Sequence, residues 1–133
     1  MPSVIERALR TLHAMEGVVC DASADRLVVP PASDDGFQVG LRVVHDREFV
    51  VTFEGWHHTF DRAEDAYDCF EYGLSDNCRL KITLRGDRAV AWQVERREYG
   101  MWCPGHMDRR RTLAFWRPRR VVYRQNHLFK SAI

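Results

Sequence analysis

Between Cys78 and Arg85 the chain alternates without a break: Cys78, Leu80, Ile82 and Leu84 are apolar, and Arg79, Lys81, Thr83 and Arg85 are polar. A period of two has one physical meaning. Successive side chains of a strand point to opposite faces, so one face of this segment is buried and the other is solvated. Val90, Trp92 and Val94 repeat the pattern against Ala91, Gln93 and Glu95, beyond a turn around Gly86–Asp87. Two alternating runs joined by a turn make an antiparallel hairpin. An odd loop, three residues long, brings the two apolar rows to the same face, whereas an even loop puts one row on each face.

The same pattern recurs upstream. Phe37, Val39, Leu41 and Val43 alternate with Gln38, Gly40 and Arg42, and Phe49, Val51 and Phe53 follow the polar turn His45–Arg47. A three-residue loop here predicts Val43 opposite Phe49, Leu41 opposite Val51 and Val39 opposite Phe53. Val18–Cys20 and Leu27–Val29 are shorter strand candidates, the second stopped by Pro30 and Pro31, since proline cannot donate to a ladder. Leu113–Trp116 and Val121–Arg124 form a further pair of strand candidates, with Pro118 in the turn between them.

Two segments carry the helical period instead. In Ser3–Glu16 the residues Val4, Ile5, Ala8, Leu9, Leu12 and Met15 share one face. Ser3 with Glu6 reads as a capping box, Glu6 and Arg10 are spaced as a surface pair, and Gly17 is placed to stop the helix. In Asp61–Gly73 the residues Ala63, Ala66, Tyr67 and Phe70 form the apolar arc. Asp61 with Glu64 repeats the capping box, and Gly73 is the expected stop.

The expected fold is therefore α+β: antiparallel β-sheet of two or more hairpins, with two helices packed on one face. The 133 residues fit one domain, 1–133. With 45% hydrophobic residues, a core of ordinary size forms without disulfide, metal or cofactor. No apolar run approaches the roughly 20 residues that span a bilayer. Glu6, Arg7 and Arg10 interrupt the stretch a signal peptide keeps apolar. The reading is a cytoplasmic protein whose four cysteines, Cys20, Cys69, Cys78 and Cys103, stay reduced.

Nothing in the sequence carries a catalytic signature. Glycine-rich phosphate loops, H-E-x-x-H, G-x-S-x-G and C-x-x-C are all absent. What remains is charge and a few reactive side chains. Of the 20 basic residues only Lys81 and Lys130 are lysine, and net charge is +1. The charge is segregated. Asp61, Glu64, Asp65, Asp68, Glu71 and Asp76 face Arg62 alone in their segment, whereas the tail after His106 is almost entirely arginine.

Three functional readings follow. The first is a small binding or regulatory module with a protein partner or a second copy of itself. Its contacts are the acidic helix residues Asp65 and Asp68, with Tyr72 at the centre of their arc, and the basic Arg117, Arg119 and Arg120. The second is a nucleic-acid-binding domain that uses the arginine-rich C-terminal strands, where Phe115, Trp116 and Tyr123 interleave with Arg117, Arg119, Arg120 and Arg124. The third is a small-ligand binder or enzyme built from two loops, Trp56-His57-His58 and Trp102-Cys103-Pro104-Gly105-His106. Paired histidines there offer acid–base chemistry. Cys103-x-x-His106 is half of a zinc ligand set, but no second ligand pair has suitable spacing, so no metal is expected. The discriminating observation is whether those two loops meet.

Overall fold

A computed structural model describes residues 3–15, 17–45, 47–110 and 116–129. Two antiparallel sheets and two helices make up the described chain. The elements run α1 (Ser3–His13), β1 (Asp21–Ala22), β2 (Arg26–Val29), β3 (Val39–Val44), β4 (Glu48–Phe53), β5 (Trp56–Phe60), α2 (Ala63–Leu74), β6 (Cys78–Arg85), β7 (Arg88–Glu98), β8 (Met101–Arg109) and β9 (Arg119–Gln125). The first sheet is a five-stranded meander in the order β1-β2-β3-β4-β5. The second has four strands in the order β8-β7-β6-β9. Helix α2 packs across β3, β4, β5 and β6, and α1 packs on α2 and β2.

The upstream hairpin has the register that facing apolar rows require: Val43 opposite Phe49, Leu41 opposite Val51, Val39 opposite Phe53. The second hairpin reaches the same result differently. Its turn is Gly86–Asp87, two residues long, with Arg85 opposite Arg88. A bulge then restores the phase. Thr83 pairs with Ala91 while Leu84 pairs with Ala89, so Val90 is the extra residue. Ile82 and Trp92, and Leu80 and Val94, end up opposite each other and buried. The expected odd loop is thus corrected to an even loop plus a one-residue bulge, which is an equivalent solution to the same phase problem.

Several expected boundaries move for identifiable reasons. Phe37 does not join the ladder, because its N–H and C=O bond the side chain of Asn126. Val18–Cys20 forms no strand. The pairing segment is Asp21–Ala22, and Val18 and Cys20 pack against the core instead. The capping box of α2 does not form. Glu64 reaches out to Arg7 of α1 at 2.6 Å, and the N-cap residue is Arg62. Glu6 and Arg10 make no ion pair with each other among the described residues. The expected cap at Ser3 and the helix end at Glu16 fall outside the described side chains and residues.

Gly17, with φ of 77°, has the left-handed conformation expected beyond a helix end. Gly73 is not a helix stop. It lies inside α2, and a Cβ there would sit 2.2 Å from Cε1 of Phe53. The missing side chain lets the helix lie directly on the fully buried Phe53 ring. Ser75 ends the helix, donating from its backbone N–H and its hydroxyl to the carbonyl of Tyr72.

The inner faces of both sheets share one apolar cluster, in which Ile5, Leu12, Phe37, Phe53, Phe70 and Leu80 are fully buried. No described helix is long and apolar enough to cross a membrane. Burial pushes the Cys69 thiol up to about 12 and raises Cys78 as well. Since the thiolate is the reactive form, Cys69 and Cys78 should resist thiol reagents at about pH 8 until the protein unfolds. The half-exposed Cys20 and Cys103 should react in the native state. Four equally fast cysteines in a native labelling time course would contradict this core.

Candidate functional site

The two loops of the third reading are not loops. Trp56–His58 opens β5 and Trp102–His106 lies within β8. These are edge strands of different sheets, and the edges meet. Trp56 is buried, stacks on Phe53 at 4.7 Å and donates its indole N–H to the carbonyl of His106 at 3.1 Å. Asp108 accepts the backbone N–H of His57 at 2.6 Å through Oδ2, and the His57 ring lies 3.3 Å from that oxygen. Its other oxygen, Oδ1, meets Nε2 of His106 at 3.2 Å. His58 sits 5.6 Å from His106, ring centre to ring centre.

His57, His58 and His106 therefore converge, as the third reading requires, and Asp108 joins them unforeseen. Cys103 does not. Its sulfur faces Glu98 at 3.9 Å. Among the described residues no group of three or more histidine, cysteine, aspartate or glutamate side chains is placed to hold a metal ion. Both carboxylate oxygens of Asp108 are committed to the opposite edge or to its own strand. An edge strand leaves backbone donors unpaired, and Asp108 answers one of them. The arrangement is a polar seam that joins the two sheets.

The residues of the first reading scatter. Asp65 and Asp68 are exposed on α2. Tyr72 is not an exposed anchor: it is half-buried, packs against the core and donates to the carbonyl of Glu95 at 3.3 Å. Burial also raises its phenol, which stays protonated. Tyr72 was placed on the acidic arc by angle alone, but α2 ends against β6 and β7, which cover it. The acidic helix pairs through Glu64 with Arg7, not with the C-terminal arginines. Those arginines are themselves divided. Arg119 and Arg120 are adjacent on a strand, so they point to opposite faces. Arg117 lies in the turn before β9, where its carbonyl accepts from Arg85 at 3.5 Å. The expected strand Leu113–Trp116 lies outside the described residues except for Trp116, and β9 pairs with β6.

That last pairing creates the most distinctive surface. On the outer face of the second sheet, Arg79, Lys81, Thr83 and Arg85 of β6 lie between Ala91 and Gln93 of β7 and Val121 and Tyr123 of β9. Met107 and Arg109 extend the face along β8. An open depression of about 400 Å³ lies in it. Lys81, Arg85, Arg109, Arg110 and Arg119 line it, together with Thr83, Val90, Ala91, Gln93 and Met107. Five cations and no carboxylate surround this space, and none of the five forms an ion pair among the described residues.

Beside the depression stands a stack of alternating rings and guanidinium groups. Arg79 lies 4.1 Å from the ring centre of Tyr123 and 4.6 Å from that of Trp102, and Arg97 lies 4.8 Å from Trp102. Arg79 is fixed from below. Its Nε donates to Glu95 at 2.7 Å, and Glu95 is only 8% exposed. The one acid on this part of the face is thus neutralised where it stands, and the guanidinium is held flat against the rings.

The sequence pattern contained a signal for this surface. Every polar position of β6 on the solvated face is basic or neutral: Arg79, Lys81, Thr83, Arg85. What periodicity did not give was the pairing of β6 with β9, which adds Tyr123 and Arg119 to the same face. The chain matches no protein-family model, no curated protein and no solved structure, so the site's geometry alone carries the functional argument.

Proposed function

We propose that the protein is a binding module whose working surface is the outer face of the second sheet and whose partner is a polyanion. The observation that carries this reading is the depression with five unpaired cations and no acid among its lining residues. Net charge is only +1, so the molecule has no general attraction for anions. Cations gathered in one concavity with no counter-charge concentrate field there and draw an anionic partner to it. Arginine predominates among them, and its planar fork suits phosphate and carboxylate oxygens. The histidine seam supports this reading indirectly, because Asp108 anchors the strand that carries Met107 and Arg109 on the working face.

The test is fluorescence anisotropy of a labelled single-stranded oligonucleotide at increasing salt. Phosphate contacts release counterions, so log affinity falls linearly with log salt. Arg109→Glu combined with Arg119→Glu should weaken binding by at least roughly tenfold and flatten the salt slope by about 2. Arg120→Glu is the control. It makes the same charge change one residue away, on the other face, and should have a much smaller effect. Equal losses in both proteins would mean that net charge, not this face, attracts the ligand. Unchanged affinity in the double variant would remove the face from the account.

A further inference from the structure

We infer that the polyanion is a single-stranded nucleic acid, held with a base against Tyr123 and its phosphates over the depression beside it. This deepens the reading above and rests on it. Three observations carry it beyond charge.

The first is position. Tyr123 is directly opposite Lys81, and Lys81 lines the depression. An aromatic face and a phosphate-sized field of positive charge are therefore one strand apart. The second is readiness. Tyr123 is 47% exposed although Arg79 already lies 4.1 Å from its ring centre. Its ring is held by the Arg79–Glu95 pair before any ligand arrives, which lowers the entropy lost on binding. The third is shape. The surface is an open sheet face, not a projecting helix or ribbon, so it has nothing to insert into a duplex major groove. Open sheets with aromatic side chains and flanking cations suit unpaired bases, because every base has a face that stacks.

An acidic peptide satisfies the cations but leaves Tyr123 without a role. A nucleic-acid strand uses both, because its charge and its flat apolar rings alternate along the chain as cations and ring do here. Thr83 and Gln93, the uncharged polar residues of the depression, are placed to meet sugar or base oxygens. The mode is sequence-tolerant, since stacking does not read a base edge.

The experiment compares four ligands at about 150 mM salt: oligothymidylate, an abasic strand of the same length, a duplex of the same length and a poly-glutamate peptide. Oligothymidylate should bind at least roughly tenfold tighter than the abasic strand, and tighter than the duplex. Tyr123→Ala should bring oligothymidylate down to the abasic level while leaving abasic binding unchanged. Tyr123→Phe should keep the difference, because it keeps the ring. Equal binding of the abasic and base-bearing strands would overturn the stacking inference and leave a polyanion-binding face. Poly-glutamate binding as tightly as oligothymidylate would replace nucleic acid with an acidic protein. Failure of every polyanion to bind would remove both this inference and the function on which it rests.

Discussion

Trp92→Ala should destabilise the fold by roughly 3–5 kcal/mol, as expected for truncating a buried tryptophan. Trp92 lies mid-strand in β7, is 7% exposed and stands opposite Ile82. Its ring also supports the first sheet. A Cβ built on Gly55, in the turn between β4 and β5, would lie 2.3 Å from Cε2 of Trp92. The two sheets thus touch through a ring on one and a bare backbone on the other. Gly55→Ala alone should cost roughly 1–3 kcal/mol by overpacking. Its effect should vanish in the Trp92→Ala background, where the obstructing ring is gone. That non-additivity, of roughly 1–3 kcal/mol, is the signature of direct contact, and urea midpoints at unchanged slope measure it. Additive effects would place the turn away from the ring. A Trp92→Ala cost well under about 1 kcal/mol would mean that the face assignment of β7 is wrong.

Asn126→Ala should be almost as damaging, at roughly 2–4 kcal/mol, because it leaves buried backbone groups without partners. Asn126 is 5% exposed and follows β9. Its Oδ1 accepts the N–H of Phe37 at 3.2 Å, and its Nδ2 donates to the carbonyls of Phe37 at 3.1 Å and Gly73 at 3.0 Å. One side chain therefore ties the segment before β3, the last turn of α2 and the end of β9. Asn126→Asp is the sharper version. It keeps the acceptor for Phe37 but turns a negative oxygen towards two carbonyls. At neutral pH it should be at least as destabilising as alanine. Burial disfavours the charged form, so the folded-state pKa of the new carboxyl should be raised. The folded protein then holds a proton that the unfolded chain has lost. Stability of the aspartate variant should accordingly fall as pH rises through the ordinary carboxylate range, near about pH 4, and beyond. A pH-independent deficit would show that the site is open to water.

Much of this architecture was written in residue periodicity, and the part that was not has a common cause. The strand face of β6, the register of β3 with β4 and the burial of Trp92 follow from spacing alone, because a face is a local property of the chain. The β6–β7 bulge did not follow. A loop of three and a loop of two with one extra residue at Val90 give identical apolar rows, so the pattern cannot separate them. Residues Glu54–His58 and Trp102–His106 were read as loops because their glycines and proline look like breaks. Both are edge strands, where an imperfect ladder costs less. The convergence of His57, His58 and His106 needed the two sheet edges to meet, and the Tyr123–Arg79–Trp102 stack needed β9 to return beside β6. Both are contacts between distant segments, which no local pattern encodes. The same limit explains Tyr72 and the arginine trio. Tyr72 is covered by strands further along the chain, and Arg119 and Arg120 separate as soon as their segment becomes a strand.

The measurement that bears most directly on the outer sheet face as the working surface is a backbone amide chemical-shift titration with single-stranded oligonucleotide. The largest changes should map to Lys81, Thr83, Gln93, Met107, Arg109, Arg119 and Tyr123, which share that face. Changes should be small on α2 around Asp65 and Asp68, and small along the His57–Asp108 seam. Shifts confined to α2 or the seam, or no shifts under conditions where the protein is folded, would contradict the account.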